Sequence, residues 1–197
     1  MIIHCTKKLF IKLPEQLTQS ATQSITSIGL LEQWQHWHAN VINIQRKQCV
    51  ILVHDATRYV VFLPAMTKDK LSDLDLHFQD VFINSLMKAG LDTNLIDKAT
   101  RYLMTDTLEL DTTCNRSVQG TMRLMAGELD WSLKYDGKHI DDIAIYSTSA
   151  WLSDRPCNIK DQKDCIWPIK AMTELLQQLP NISVTEPNTS VTSDLKH

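Results

Sequence analysis

Residues 34–63, WQHWHANVINIQRKQCVILVHDATRYVVFL, decide the fold. Apolar residues come in three short bursts, Val41–Ile44, Cys49–Val53 and Tyr59–Leu63, with polar breaks at Gln45–Gln48 and Asp55–Arg58. Short runs rich in Val and Ile between polar turns read as antiparallel strands. A first turn centred on Gln45–Gln48 makes Ile44 face Cys49, Ile42 face Ile51, Asn40 face Val53 and His38 face Asp55. The second turn sets His54 near Tyr59, Leu52 near Val61 and Val50 near Leu63. Directly opposed residues share a face of the sheet. One face then carries Ile42, Ile44, Cys49, Ile51, Val53, Val60 and Phe62, and the other Val41, Val50, Leu52, Val61 and Leu63. Both are apolar, so the middle strand is expected to be covered on both sides.

Helical spacing on the C-terminal side supplies the cover. Leu71, Leu74, Phe78, Val81, Phe82, Ser85 and Ala89 repeat as one stripe that Gly90 stops. Thr93 to Leu103 reads as a shorter helix, and the alternation in Thr105–Thr112 as an edge strand. A second long helix begins at Thr113 or Asn115, with Val118, Met122, Met125, Leu129 and Leu133 inward, and Gly137 ends it. Ile143–Trp151 is ambiguous between strand and helix. Pro168 opens a last helix through Leu179. On the N-terminal side, Ile2–Cys5 reads as a strand, and Thr6 caps a brief helix over Lys7–Leu13 that Pro14 ends. Residues 14–28 have weak helical spacing. The expectation is an α+β fold: a small antiparallel β-meander sheet covered by two long helices plus shorter ones, in one domain over residues 1–180, with a disordered polar tail at 181–197.

The 197 residues are 43% hydrophobic and 22% charged, as in soluble globular proteins. A net charge of −3 lacks the basic excess that phosphate binding needs, so composition gives no nucleic-acid signal. No run reaches the roughly 20 apolar residues of a membrane helix. His4, Lys7 and Lys8 interrupt the opening, which therefore lacks a signal-peptide pattern. The five cysteines are widely spaced without a CxxC motif, so reduced thiols and a cytoplasmic location are expected. GxxxxGK[ST], GxGxxG and GxSxG are missing, and no cofactor is expected.

Three segments, MIIHCTKKL, WHANVINIQRKQCVILVHDATRYVVFLP and NRSVQGTM, together resemble an uncharacterised bacterial family, the domain of unknown function 6933 family. The resemblance runs from Met1 to about Pro168. The Gln-rich stretch before Trp34 is longer than the family pattern, and the tail lies outside it. The resemblance implies a compact bacterial domain and brings no catalytic residues with it.

Four groups of residues carry candidate chemistry. His38 opposite Asp55 is the arrangement of a general base and its orienter, although a polar pair that fixes strand register is the commoner role. His36 and His38 share a strand face and would chelate a metal with His54, helped by His4 or Asp55. His54 should point the other way and no HExxH supports the site, so no metal is assigned. Asn115, Arg116 and Ser117 open a helix, where free N–H groups and Arg116 suit a small anion; an ordinary cap with Arg116 packed on the surface or paired to Asp111 is the plainer alternative. Cys114 sits at the same helix start, but nothing places a histidine beside it. Trp34 and Trp37 suit either a stacking platform or a roof on the sheet, and Trp131 and Trp151 suit packing between helices.

These residues support a non-enzymatic binding or regulatory module. Its contact surface is expected at the open end of the first hairpin, near Trp37, His38, Asp55 and Arg58. A protein partner or small anionic ligand fits, as does a homo-oligomer. One alternative is a hydrolase or nucleic-acid-processing enzyme with His38 as base, Asp55 as orienter and Arg116 as anion clamp. Another is a mobile-element or phage-conflict protein that binds a host protein.

Overall fold

The computed structural model describes residues 1–18, 29–159 and 164–181. Most of the weak helical stretch at 14–28 and nearly all of the polar tail lie outside these residues. Along the chain come β1 (Ile2–Cys5), α1 (Lys7–Phe10), α2 (Glu15–Thr18), α3 (Leu30–Gln35), β2 (His36–Ile44), β3 (Lys47–His54) and β4 (Val60–Leu63). Then follow α4 (Lys68–Ser72), α5 (Leu74–Lys88), α6 (Thr93–Thr105), β5 (Glu109–Asp111), α7 (Arg116–Asp136), α8 (Ile145–Ser153) and α9 (Pro168–Gln178).

The sheet is mixed and not purely antiparallel. Its order is β4-β3-β2-β1-β5. The strands β2, β3 and β4 are consecutive antiparallel neighbours. However, β1 lies parallel to both β2 and β5. Parallel neighbours need a long crossover, and the chain supplies one on each side of β2–β4.

The first hairpin turns more tightly than its polar break suggests. Ile44 pairs with Lys47, Ile42 with Cys49, Asn40 with Ile51 and His38 with Val53. The loop is therefore the two residues Gln45 and Arg46, with φ of 48° and 67°. Positive φ at both positions marks a type I′ turn, whose twist matches the strands it joins. Gln45 is anchored there by its side chain: Nε2 donates to Lys138 O at 2.9 Å, and Oε1 accepts from Ile140 N at 2.8 Å. The observed register differs from the expected one by two residues, which leaves every side chain on its expected face. The second hairpin pairs Val50 with Leu63 and Leu52 with Val61, as expected.

Each face has its own core. Val41, Val50, Leu52, Val61 and Leu63 join Trp37 and the α5 residues Phe78, Phe82 and Leu86. On the other face Ile44, Cys49, Ile51, Val53, Val60 and Phe62 meet Val118, Met122, Met125, Leu129 and Leu133 of α7. The sheet is thus filled between α5 and α7. The outer edge of β4 is closed by α8. Ser149 Oγ accepts from Phe62 N at 3.1 Å and Ser153 Oγ from Val60 N at 2.9 Å, with both hydroxyls buried. Serines four apart on a helix match alternate N–H groups of a strand, which leaves no template there for another chain.

Candidate functional site

Strand alternation sends Ile3 and Cys5 to the α5 face and His4 to the α7 face. The parallel register then sets His4 beside both His38 and Asp111. His36 lies two residues before His38 on the same face. His4 Nδ1 meets Asp111 Oδ1 at 2.7 Å, and His4 Nε2 meets His36 Nδ1 at 2.9 Å. The two imidazole planes differ by only 4°. A carboxylate only accepts, so His4 Nδ1 donates to it. In the neutral cluster His4 Nε2 must then accept from His36 Nδ1–H, which leaves the lone pair of His36 on Nε2. Burial, reinforced by His4, lowers the pKa of His36 below that of a free histidine. The result is a carboxylate–imidazole–imidazole chain ending in a neutral base.

His38 has a different attachment. Its Nε2 accepts from Asn115 N at 2.9 Å, so a neutral His38 carries its proton on Nδ1, which is buried and has no partner among the described residues. Burial lowers its pKa to about 4, with His4 and Arg58 adding to that and Asp55 opposing it. The positive end of α7 also disfavours an imidazolium there. Asn115 caps α7, its Oδ1 accepting from Ser117 N at 2.9 Å. Next to it, Arg58 is only 3% exposed and sits at φ 62°. Its Nη1 donates to Asp55 O at 2.7 Å and to Asp55 Oδ1 at 3.3 Å, and its Nη2 to Ser117 Oγ at 3.3 Å. These bonds hold the start of α7 to the end of the first hairpin.

The model of the family described as Domain of unknown function (DUF6933) matches residues 2–171. The chain belongs to that family. No curated protein and no solved structure matches it. The matched span of this DUF6933 member includes the whole imidazole cluster, the sheet and α7.

The cluster is not the one expected from sequence. His38 opposes Val53, and Asp55 is committed to Arg58, so the base–orienter pair His38–Asp55 does not form across the strands. Asp111 orients His4 instead of pairing with Arg116. The nearer nitrogens of the proposed chelate are engaged within the protein: His36 Nδ1 faces His4, and His38 Nε2 accepts from Asn115 N. Among the described residues no group of three or more His, Cys, Asp or Glu is arranged to hold a metal ion. His54 does point to the opposite face, where its Nδ1 accepts from Thr57 N and its Nε2 meets Trp34 O. Trp37 is buried against Phe78 and Phe82, so it roofs the sheet and offers no stacking platform. Asn115 and Arg116 are exposed at the start of α7, and Ser117 is half-buried. The start of α7 therefore does lie beside His38, Asp55 and Arg58.

The outer face of α7 is a feature that the sequence reading misses. Trp131 does not pack between helices; it is 64% exposed, with Leu124 at 54% and Tyr135 at 77%. The rings of Trp131 and Tyr135 stack at 5.1 Å. Gly120 and Gly127 lie along the same stripe, and a Cβ added to either would meet none of the described residues within 4 Å. A shallow groove of about 520 Å³ runs there between Arg123, Leu124, Gly127, Glu128 and Trp131. Polar side chains border it, with Glu128 bonded to Arg155 at 3.1 Å and Asp130 to Lys134 at 2.6 Å. The residue spacing 120, 124, 127, 131 is the signal that could have revealed it, as a second stripe opposite the buried one.

Proposed function

We propose that this protein is a non-enzymatic binding module that receives a helix of a protein partner on the outer face of α7. One observation carries the reading: a 21-residue helix spends its inner stripe on the core and still presents Leu124, Trp131 and Tyr135 to solvent with two glycines among them. Large exposed apolar side chains grouped on one face mark interaction surfaces, whereas scattered ones do not. The glycines strengthen it. Each costs a helix interior about 0.5–1 kcal/mol relative to alanine. None of the described residues fills the space they leave, so the space suits an approaching backbone or ring from outside.

This moves the contact surface away from the hairpin end, where Trp37, His38 and Arg58 are buried. Leu124→Glu together with Trp131→Glu tests the reading. Exposed sites outside the fold's own packing shift stability by no more than about 0.5 kcal/mol each. The double variant should keep its melting temperature and lose the association that the wild-type chain is expected to show in sedimentation. A loss of many degrees would make the stripe part of the fold and defeat the proposal.

A specific observation also favours an enzyme reading: the Asp111–His4–His36 chain, which would replace the His38–Asp55 pair as a general base. In that reading His36 Nε2 takes the proton. Diethyl pyrocarbonate should modify His36 faster than the exposed His139, and Asp111→Asn should remove the difference. Equal rates would reduce the chain to a structural brace.

A further inference from the structure

We propose that the occupant of the α7 face is a second copy of this chain, laid antiparallel to the first across a two-fold axis. The inference rests on the docking reading above and names its partner. Gly120, Leu124, Gly127 and Trp131 follow one another at intervals of four, three and four residues, the repeat of a helix-pairing seam. Small and large residues alternate along it. An antiparallel copy sets Trp131 against Gly120 of the second copy and Leu124 against Gly127. Each large side chain then enters a space that a glycine leaves open, and the two-fold axis repeats both contacts. A parallel copy would set Trp131 against Trp131 and glycine against glycine, which crowds one level and empties the next.

The charges agree with the same direction. Arg123 and Asp130 flank the seam on one side, seven residues apart. In antiparallel pairing they face each other across the two copies, twice by symmetry. In parallel pairing that flank would face the opposite flank of the second copy, and the two residues would not meet. Asp130 also bonds Lys134, one turn further along its own helix, at 2.6 Å. Tyr135, stacked on Trp131, extends the seam by one turn.

The area sets the strength. Leu124, Trp131 and Tyr135 expose roughly 400 Å² together, on the scale of 150–250 Å² for a large aromatic side chain. That is about half of the ~800 Å² that a standard interface buries on each partner. The polar flanks supply part of the rest, so the dimer is expected to exchange at micromolar concentrations and not to be obligate.

Sedimentation equilibrium of the full chain, with a charge exchange, tests this. Arg123→Glu alone and Asp130→Lys alone each set like charges together twice in their own dimer, and each should weaken it roughly tenfold. Mixed in equal amounts, the two variants place the introduced glutamate of one against the introduced lysine of the other. The unaltered Asp130 of the first then faces the unaltered Arg123 of the second, and the mixed dimer should regain the wild-type constant. Failure of the mixture to recover, with both variants folded by circular dichroism, would overturn the antiparallel register. A wild-type chain that stays monomeric at every concentration would overturn the second copy itself. In that case a cross-link from position 131 to a different protein would leave the docking reading standing, and none would remove both.

Discussion

Gly120→Ala with Gly127→Ala should make the protein more stable and less able to associate. Both glycines lie inside α7 with ordinary helical backbone, and an added Cβ has open space at either position. No clash offsets the gain in helix propensity, which is about 0.5–1 kcal/mol per site. The pair should therefore contribute about 1–2 kcal/mol. For a domain of this size, 1 kcal/mol moves the melting temperature by about 2–4 °C. A rise of about 2–8 °C is expected by differential scanning calorimetry or circular dichroism. Association should move the opposite way, because two methyl groups would occupy the spaces meant for Trp131 and Leu124 of the second copy. Tight interfaces tolerate such overpacking poorly, so a loss of tenfold or more in the dimer constant is expected. A fall in melting temperature would show that the glycines face the core. A rise with unchanged association would show that their space has no occupant.

Three other outcomes follow from the geometry. Acid should destabilise the fold through His54, fully buried and with its pKa lowered to about 4 by burial. The unfolded chain binds a proton near pH 6.5 and the folded chain only near 4, so stability is complete above pH 6.5 and declines as pH falls towards 4. The slope is about 1.4 kcal/mol per pH unit for each such histidine, about 3 kcal/mol in all for His54. His36 and His38 shift in the same direction, so His54→Gln should lower the slope between pH 6 and 5 in urea titrations without abolishing it; an unaltered slope would clear His54. His38→Ala leaves Asn115 N without its acceptor and should cost about 1–3 kcal/mol; an unchanged melting temperature would mean that water replaces the ring at no cost. Ser149→Ala with Ser153→Ala should strand two buried N–H groups of β4 and cost about 2–6 kcal/mol by the same rule; a neutral result would show that α8 leaves the edge open.

The two faces of β2–β4 are legible in the sequence because the side-chain period of a strand is two. Even a register wrong by two residues sends Cys49 and Val50 to their correct sides. The turn is hard to read because Gln45 and Arg46 carry none of the Asn-Gly signal usual at positive φ. Helix ends are readable from Asn115, Gly137 and Pro168, whose local chemistry is independent of the rest of the chain. The candidate site is legible only in part. His4 and Asp111 meet across 107 residues through a parallel pairing that no local pattern announces. The α8 serines are hidden for a similar reason, since their role depends on a strand 87 and 93 residues away. Trp131 is misplaced by sequence reasoning because a large aromatic on an amphipathic helix is normally drawn inward, and here the inner stripe is already filled by Met125, Leu129 and Leu133.

The central claim is that the outer face of α7 is an interface. A photo-cross-linking residue at position 131 of the intact chain tests it most directly, with the same residue at the exposed position 88 on α5 as the control. One adduct is expected from position 131, of twice the chain mass, joined to residues of α7 near Gly120. Equal, sparse labelling from both positions would contradict it.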